Sequence, residues 1–397
     1  MSGPGKLLIG KEERALLLRI IDSGHLYRYG NLTDKNFKRA VYTLEQNFSK
    51  FVTNKYSVAT VSGTMALVAS LKALEIGEGD EVLVPGYTYI ASYSAIIFTG
   101  ATPIPVEIDE TLTIDLEDIK RKLTKKTKAI MPVHMLGSSA NILEICKFAK
   151  KNNLFVIEDC AQAFGAQYKK KKIGSYGDVS AFSLNHYKVI TTGDGGIIST
   201  NNKTLYEKVF AIHDQGHKLN RASSAEGKRK IIGLNIRMNE LTGAVALAQL
   251  RKVNFIIKTL RNNKIILKKL INKNNKLFEF KKQHDEKGEC ATSETMIFTT
   301  KYYAKKFSKM LGTRTISTSG WHVYSNMENI RDHLKKKNIN FKKGTLPNTD
   351  NILDRSVSIS LGVSDDGLGT KFGIKITSTL SDIKKVAKLI NNTLSEL

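Results

Sequence analysis

Acidic residues are scarce in this chain relative to basic ones. It holds 37 aspartates and glutamates against 62 lysines and arginines, a formal charge of +25 at pH 7. Such an excess raises nucleic-acid binding as a role, because clustered lysine and arginine attract phosphate whatever the base sequence. The distribution argues against it: runs such as Lys169 to Lys172 and Lys335 to Lys337 are short, scattered and not interleaved with aromatics. The charge reads instead as solvated faces that help attract an anionic small substrate. Cysteine is equally sparse. Cys146, Cys160 and Cys290 are odd in number and lack CxxC spacing, which excludes a disulfide framework and a zinc ribbon and leaves buried free thiols. No apolar run approaches the roughly 18 residues of a membrane span, and Met1 to Gly10 lacks the basic segment and apolar core of a secretory signal. The expectation is a cytoplasmic protein without membrane insertion.

What is present is ordinary globular composition, with 41% hydrophobic and 25% charged residues over 397 positions. That length exceeds the roughly 250 to 300 residues at which single cores stop growing, so two domains are expected, 1–250 and 251–397. Six prolines and no low-complexity linker leave that boundary unmarked. In the first part, apolar runs alternate with helical patterns: YSVATVS before TMALVASLKALEI, EVLVPG before YIASYSAIIFTG, TPIPVEID, KAIMPV before NILEICKFAKK, LFVIED, VSAFSL and GGIIST. Several are continuously apolar, as strands buried on both faces should be. This is the α/β pattern of a mostly parallel sheet. A long amphipathic stretch from Asn239 predicts a helix bridging the domains. Beyond it EFKKQ, ETMIFTT, RTISTS and SVSIS read as short strands, and DIKKVAKLINNTL as a closing helix, giving a smaller α+β domain.

Three stretches carry chemistry. In SGTMAL, Ser62 to Leu67, a small-residue turn follows a strand and opens a helix, whose first amides are unpartnered and, at Gly63, closely approachable by an anion. Capping by Ser62 or Thr64 is the alternative reading. In FVIEDCAQAFGA, Glu158 and Asp159 end a buried strand, either as an N-cap for a helix near Ala161 or as a carboxylate facing a cationic ring nitrogen. Lys188 follows the strand VSAFSL and precedes the glycine turn TTGDGG; burial would be needed to make its amine reactive.

Taken in order, SGTMAL, PGYTYIAS, PVHMLG, EDCAQAFGA, GDVSAFSLNHYK, TTGDGG and GLNIRMNELTGAVALAQL resemble the motif series of the DegT/DnrJ/StrS family of sugar aminotransferases, and the likeness runs through nearly the whole chain. The resemblance implies a pyridoxal 5'-phosphate enzyme of aminotransferase fold type I, with a mostly parallel seven-stranded sheet. It makes Lys188 the lysine bonded to the cofactor and Asp159 the partner of its ring nitrogen. It places Gln162 beside the ring hydroxyl, Tyr89 on the ring face, and Gly63, Thr64 and Ser183 at the phosphate. Asn235 would reach the neighbouring subunit's phosphate, which implies a homodimer with shared active sites. Leu184, Asp194 and Asn141 depart from the family pattern and bear on substrate detail. In the related sugar dehydratases histidine replaces the lysine; here His186 lies two places away, but Lys188 holds the family register.

The expected reaction moves an amino group from glutamate or glutamine to a keto-sugar, nucleotide-linked, in amino-sugar or surface-polysaccharide biosynthesis. A free sugar acid of the 8-amino-3,8-dideoxy-octulosonate type, or a cyclitol, is the alternative acceptor; a dehydratase and a non-catalytic regulator are further alternatives. Candidate substrate residues are Arg28 and Tyr29 in HLYRYG, His186, His213 and His217 in HDQGH, and His322 in SGWHVYSNMENI, where Trp321 and Tyr324 either line a sugar pocket or pack the small domain. No metal site is expected, the HDQGH histidines reading as a loop near the active site.

Overall fold

The computed structural model describes residues 1–219, 231–271 and 276–397. Nine strands form in the first part: β1 (Tyr56–Thr60), β2 (Glu81–Pro85), β3 (Thr102–Val106), β4 (Thr127–Ile130), β5 (Phe155–Asp159), the hairpin β6 (Gln167–Tyr168) and β7 (Lys171–Lys172), β8 (Val179–Ser183) and β9 (Gly196–Thr200). Seven of them make one sheet in the order β1-β9-β8-β5-β4-β2-β3. Pairing is parallel from β3 through β8, and only β9 runs against its neighbours β8 and β1.

The continuously apolar runs have a simple cause. Side chains alternate across a strand, so a sheet covered on both faces must bury every position. Phe182 in β8, Leu83 in β2 and Ile197 in β9 enter one core together with the helices Ala40–Val52 and Ile142–Lys151. Their neighbours Ala181, Val82 and Ile198 enter the other, with the helices Gly63–Ala73 and Ile90–Phe98.

The helix predicted from Asn239 spans Glu240–Leu270, capped by the Asn239 side chain, which accepts from the Thr242 N–H. It runs unbroken across residue 250. One of its lysines, Lys264, is buried between Glu289 and Glu294, at 2.6 and 2.9 Å. Burial opposes the ammonium, but the two carboxylates outweigh it and hold the pKa above the usual lysine value. The strands β10 (Phe278–Phe280), β11 (Ser293–Phe298) and β12 (Ser356–Ser360) form an antiparallel sheet backed by the helices Lys301–Met310 and Leu380–Ser395.

Two expectations are corrected here. RTISTS is not a strand: Ile316–Thr318 is a 3₁₀ turn, because Thr318 bonds back to the Thr315 carbonyl through both its N–H and its hydroxyl. No helix begins near Ala161 either. The Asp159 Oδ1 accepts the Ala161 N–H at 3.0 Å, and the chain continues in turns. Among the described residues, no helix is long and apolar enough to cross a membrane.

Candidate active site

The carboxyl ends of β5 and β8 and the N-terminus of the helix Gly63–Ala73 open onto a cavity of about 590 Å³, which residues beyond 290 also line. At the helix end Ser62 is the cap, its Oγ accepting the Met65 N–H at 3.1 Å. The earliest intrahelical bond is from the Ala66 N–H to the Ser62 carbonyl and the cap takes the Met65 N–H, so the amides of Gly63 and Thr64 are available to an anion. Gly63 is required by packing: a Cβ there would stand 2.7 Å from that of Ser183. Gly63→Ala is therefore expected to push the helix end away from β8. Overpacking of this kind costs about 1 to 3 kcal/mol, so cofactor affinity, read by absorbance titration of stripped protein, falls about tenfold or more.

The two adjacent acids of β5 have different surroundings because strand alternation sends them to opposite faces. Glu158 is fully buried. Its oxygens accept from the backbone N–H groups of Gly174, Tyr176 and Gly177, each at 2.7 Å, and from His134 Nε2 at 3.0 Å. His134 Nδ1 accepts the Ala140 N–H, which puts the ring proton on Nε2. Burial pushes the Glu158 pKa up, but His134 and the backbone donors outweigh it and leave it below the usual carboxylate value. Among the described residues, His134, Glu158 and Cys160 are the one set of three potential metal ligands lying close together. These hydrogen bonds already engage the histidine and the glutamate, and burial holds the Cys160 thiol well above its ordinary pKa. The cluster is a strut beneath β5.

Asp159 faces the cavity. Its Oδ2 accepts from Ser92 Oγ at 2.9 Å, and burial raises its pKa against the pull of the Ala161 N–H, Ser92 and Lys188. A buried carboxylate in this state gains from a cationic partner. Lys188 lines the same cavity; burial lowers its pKa, opposed by Asp159 and Asp365, so its amine is more readily neutral and nucleophilic than a surface lysine's. Its Nζ lies 6.0 Å from the centre of the Tyr89 ring. Tyr89 stacks on Trp321 with centroids 6.2 Å apart and planes 8° apart, and His322 lies 5.2 Å from Tyr89. Burial and the Lys188 charge push the His322 pKa down to about 3, so this imidazole is neutral.

Eight sequence-predicted residues therefore meet around one cavity: Gly63, Thr64, Tyr89, Asp159, Gln162, Ser183, Lys188 and His322. Six lie elsewhere. Arg28 is turned inward by Glu45, which it grips at 2.9 and 3.0 Å, and its Nη1 sits 3.0 Å from His213 Nε2. Arg28 and Tyr29 border a second cavity, of about 570 Å³. His186 accepts the Gly3 N–H on its carbonyl, and His217 is held through its N–H to the Asp214 carbonyl. Asn235 is exposed, beside Asp214. Trp321 lines the cavity, which answers for one of its two readings; Tyr324 is core. Sequence reasoning missed Asp365 and Asp366, which line the cavity from a loop that reads only as a polar turn, SDDG.

The residues present fit pyridoxal phosphate: amides and a serine for its phosphate, a buried carboxylate for its ring nitrogen, an aromatic ring for its face and a desolvated amine for its aldehyde.

Comparison with known proteins agrees. The model of the DegT/DnrJ/EryC1/StrS aminotransferase family matches residues 8–366. The GDP-perosamine synthase of Escherichia coli O157:H7 is 43% identical over 266 residues, 67% of this chain and 70% of that protein. The dTDP-3-amino-3,6-dideoxy-alpha-D-galactopyranose transaminase of Aneurinibacillus thermoaerophilus is 39% identical over 237 residues, 59% of this chain and 61% of that one. The structure of the aminotransferase from Psychrobacter cryohalolentis superposes with a TM-score of 0.83 at 25% identity, over 98% of both chains. The chain belongs to the DegT/DnrJ/EryC1/StrS family of pyridoxal-phosphate-dependent aminotransferases.

Proposed function

We propose that this chain transfers an amino group from glutamate or glutamine to a nucleotide-linked keto-deoxy sugar, in the making of an amino sugar for a surface polysaccharide. The observation that carries this reading is the desolvated Lys188 amine in one cavity with the Asp159 carboxylate and the open helix end at Gly63. The similarity to a GDP-perosamine synthase and a dTDP-sugar transaminase supports the substrate class.

Bound in this cavity, pyridoxal phosphate would supply the electron sink that lets a carbon beside the nitrogen lose its proton. The amides at Gly63 and Thr64, with Ser183, would hold its phosphate. Asp159 would keep a proton on its ring nitrogen through charge. Lys188 would serve as the proton carrier, base and then acid, a role suited to an amine whose pKa burial has lowered. The neutral His322 is a poor competitor for that proton.

We infer a homodimer with shared sites. Asn235 lies outside its own chain's cavity, and near it Ile232 and Leu234 are 97% and 54% exposed, apolar surface suited to a second copy. The free thiols favour a reducing compartment, the cytoplasm.

Mass spectrometry tests the reaction. With isotopically labelled glutamate or glutamine and GDP-4-keto-6-deoxymannose, the labelled nitrogen is expected in the sugar. Loss of a sugar hydroxyl without nitrogen would mark a dehydratase instead, and unchanged sugar a non-catalytic protein.

A further inference from the structure

The part of the cavity lining contributed by residues beyond 290 combines an exposed aromatic face with carboxylates. Trp321, the sole tryptophan of the chain, leaves 59% of its surface exposed at the cavity. It is not loosely placed. Its ring lies nearly parallel to Tyr89, and its carbonyl accepts the Ile90 N–H at 2.8 Å. A large ring fixed in this way gains when an apolar face covers it.

Asp365 lines the same cavity from the loop after β12. Its Oδ1 accepts the Gly367 N–H at 2.8 Å, and its own N–H is donated to Thr370 Oγ1 at 3.0 Å. The carboxylate and His322 converge over Gly367, where a Cβ would stand 3.2 Å from Asp365 Oδ1 and 3.6 Å from the His322 ring. Asp366 is tied to Arg314. Among the described lining residues of this part there is no lysine or arginine.

A pyranose offers the matching surfaces, an apolar face of C–H groups and a rim of hydroxyl donors. An aromatic ring covers the first, and a carboxylate accepts the second in charge-assisted hydrogen bonds. A sugar acid would bring a like charge against Asp365; Arg314 is already engaged by Asp366, and Lys188, the cation that faces Asp365, is the residue the cofactor would take up. We propose that Trp321 and Asp365 form the seat of the acceptor's sugar ring, packing on its face and accepting its hydroxyls, and that they select an uncharged pyranose over a sugar acid. The inference deepens the aminotransferase reading and rests on it for the word acceptor.

Two measurements test it. In the holoenzyme, Trp321→Ala and Asp365→Asn are each expected to lower kcat/KM for GDP-4-keto-6-deoxymannose about tenfold or more, chiefly through KM. In Trp321→Ala, bleaching of the cofactor's visible band by glutamate alone should stay within about twofold, and Trp321→Phe should recover most of the acceptor loss. Because Trp321 is the only tryptophan, its emission also reports occupancy without turnover: it should respond to GDP-mannose more than to GDP, and not to 3-deoxy-octulosonate. Equal losses in the glutamate and acceptor reactions, or emission that answers the sugar acid rather than GDP-mannose, would overturn the seat. Nitrogen transfer unimpaired in both variants would remove the seat and leave the transferase. GDP-mannose bound at Trp321 in a protein that transfers no nitrogen would do the reverse.

Discussion

Protein carrying Lys188→Ala is expected to be colourless after purification and to lose amine transfer by about 10⁴-fold or more, while the unaltered protein is yellow and keeps a reduced adduct at Lys188 after borohydride treatment. The expectation follows from the position of this amine. It lies in a cavity where desolvation lowers its pKa, with Asp159 and Asp365 partly restoring the charge. A methyl group there removes the nucleophile and the proton carrier together. No other lysine lines the cavity among the described residues, so none is placed to substitute. Folding should survive, because among the described residues no side-chain hydrogen bond holds the Lys188 amine, and an unchanged Tm would separate lost chemistry from lost structure. An adduct mapped by peptide mass spectrometry to any other residue would refute the assignment.

Much of this site is legible in the amino-acid sequence, for physical reasons that differ among its parts. Gly63 and Ser183 stand out because close approach of a helix end to a strand tolerates few side chains, so small residues recur at such points. Asp159 and Lys188 stand out because strands of a covered sheet announce themselves as apolar runs, and chemistry sits just past their ends. Arg28, Tyr29 and His213 resemble substrate ligands for the opposite reason: charged and aromatic residues in a polar context look like a binding loop. Sequence alone does not reveal that Glu45, on the helix Ala40–Val52, draws the Arg28 guanidinium into the interior. Asp365 is invisible there because its role depends on a loop more than 170 residues from Lys188 folding back against His322, a juxtaposition without local periodicity. The division expected near residue 250 falls inside the helix Glu240–Leu270, which runs through that position unbroken.

The pair Glu158 and Asp159 offers the second large effect, because neighbouring carboxylates should fail in different ways. Glu158→Gln keeps the shape of the side chain but replaces one acceptor oxygen with a donor. Each oxygen now accepts two bonds, Oε1 from the Tyr176 and Gly177 N–H groups and Oε2 from Gly174 N–H and His134 Nε2. Whichever way the amide turns, two buried donors meet an NH₂ group. At about 1 to 3 kcal/mol for each donor left without an acceptor, the loss is about 2 to 6 kcal/mol, a large share of the roughly 5 to 15 kcal/mol that holds a domain together. The expected readout is a Tm lower by several degrees or insoluble protein. Asp159→Asn leaves Oδ1 for the Ala161 N–H, and its new amide can donate to Ser92 Oγ, so the fold has no comparable loss. What disappears is the negative charge facing the cavity, and with it the means of keeping a ring nitrogen protonated. Amine transfer should fall about 10² to 10³-fold at nearly unchanged Tm, by analogy with the removal of one preorganised electrostatic group from an active site. Should Asp159→Asn instead melt early and Glu158→Gln stay folded but inactive, the two acids would have exchanged roles, and the ring-nitrogen partner would have to be sought on the other face of β5.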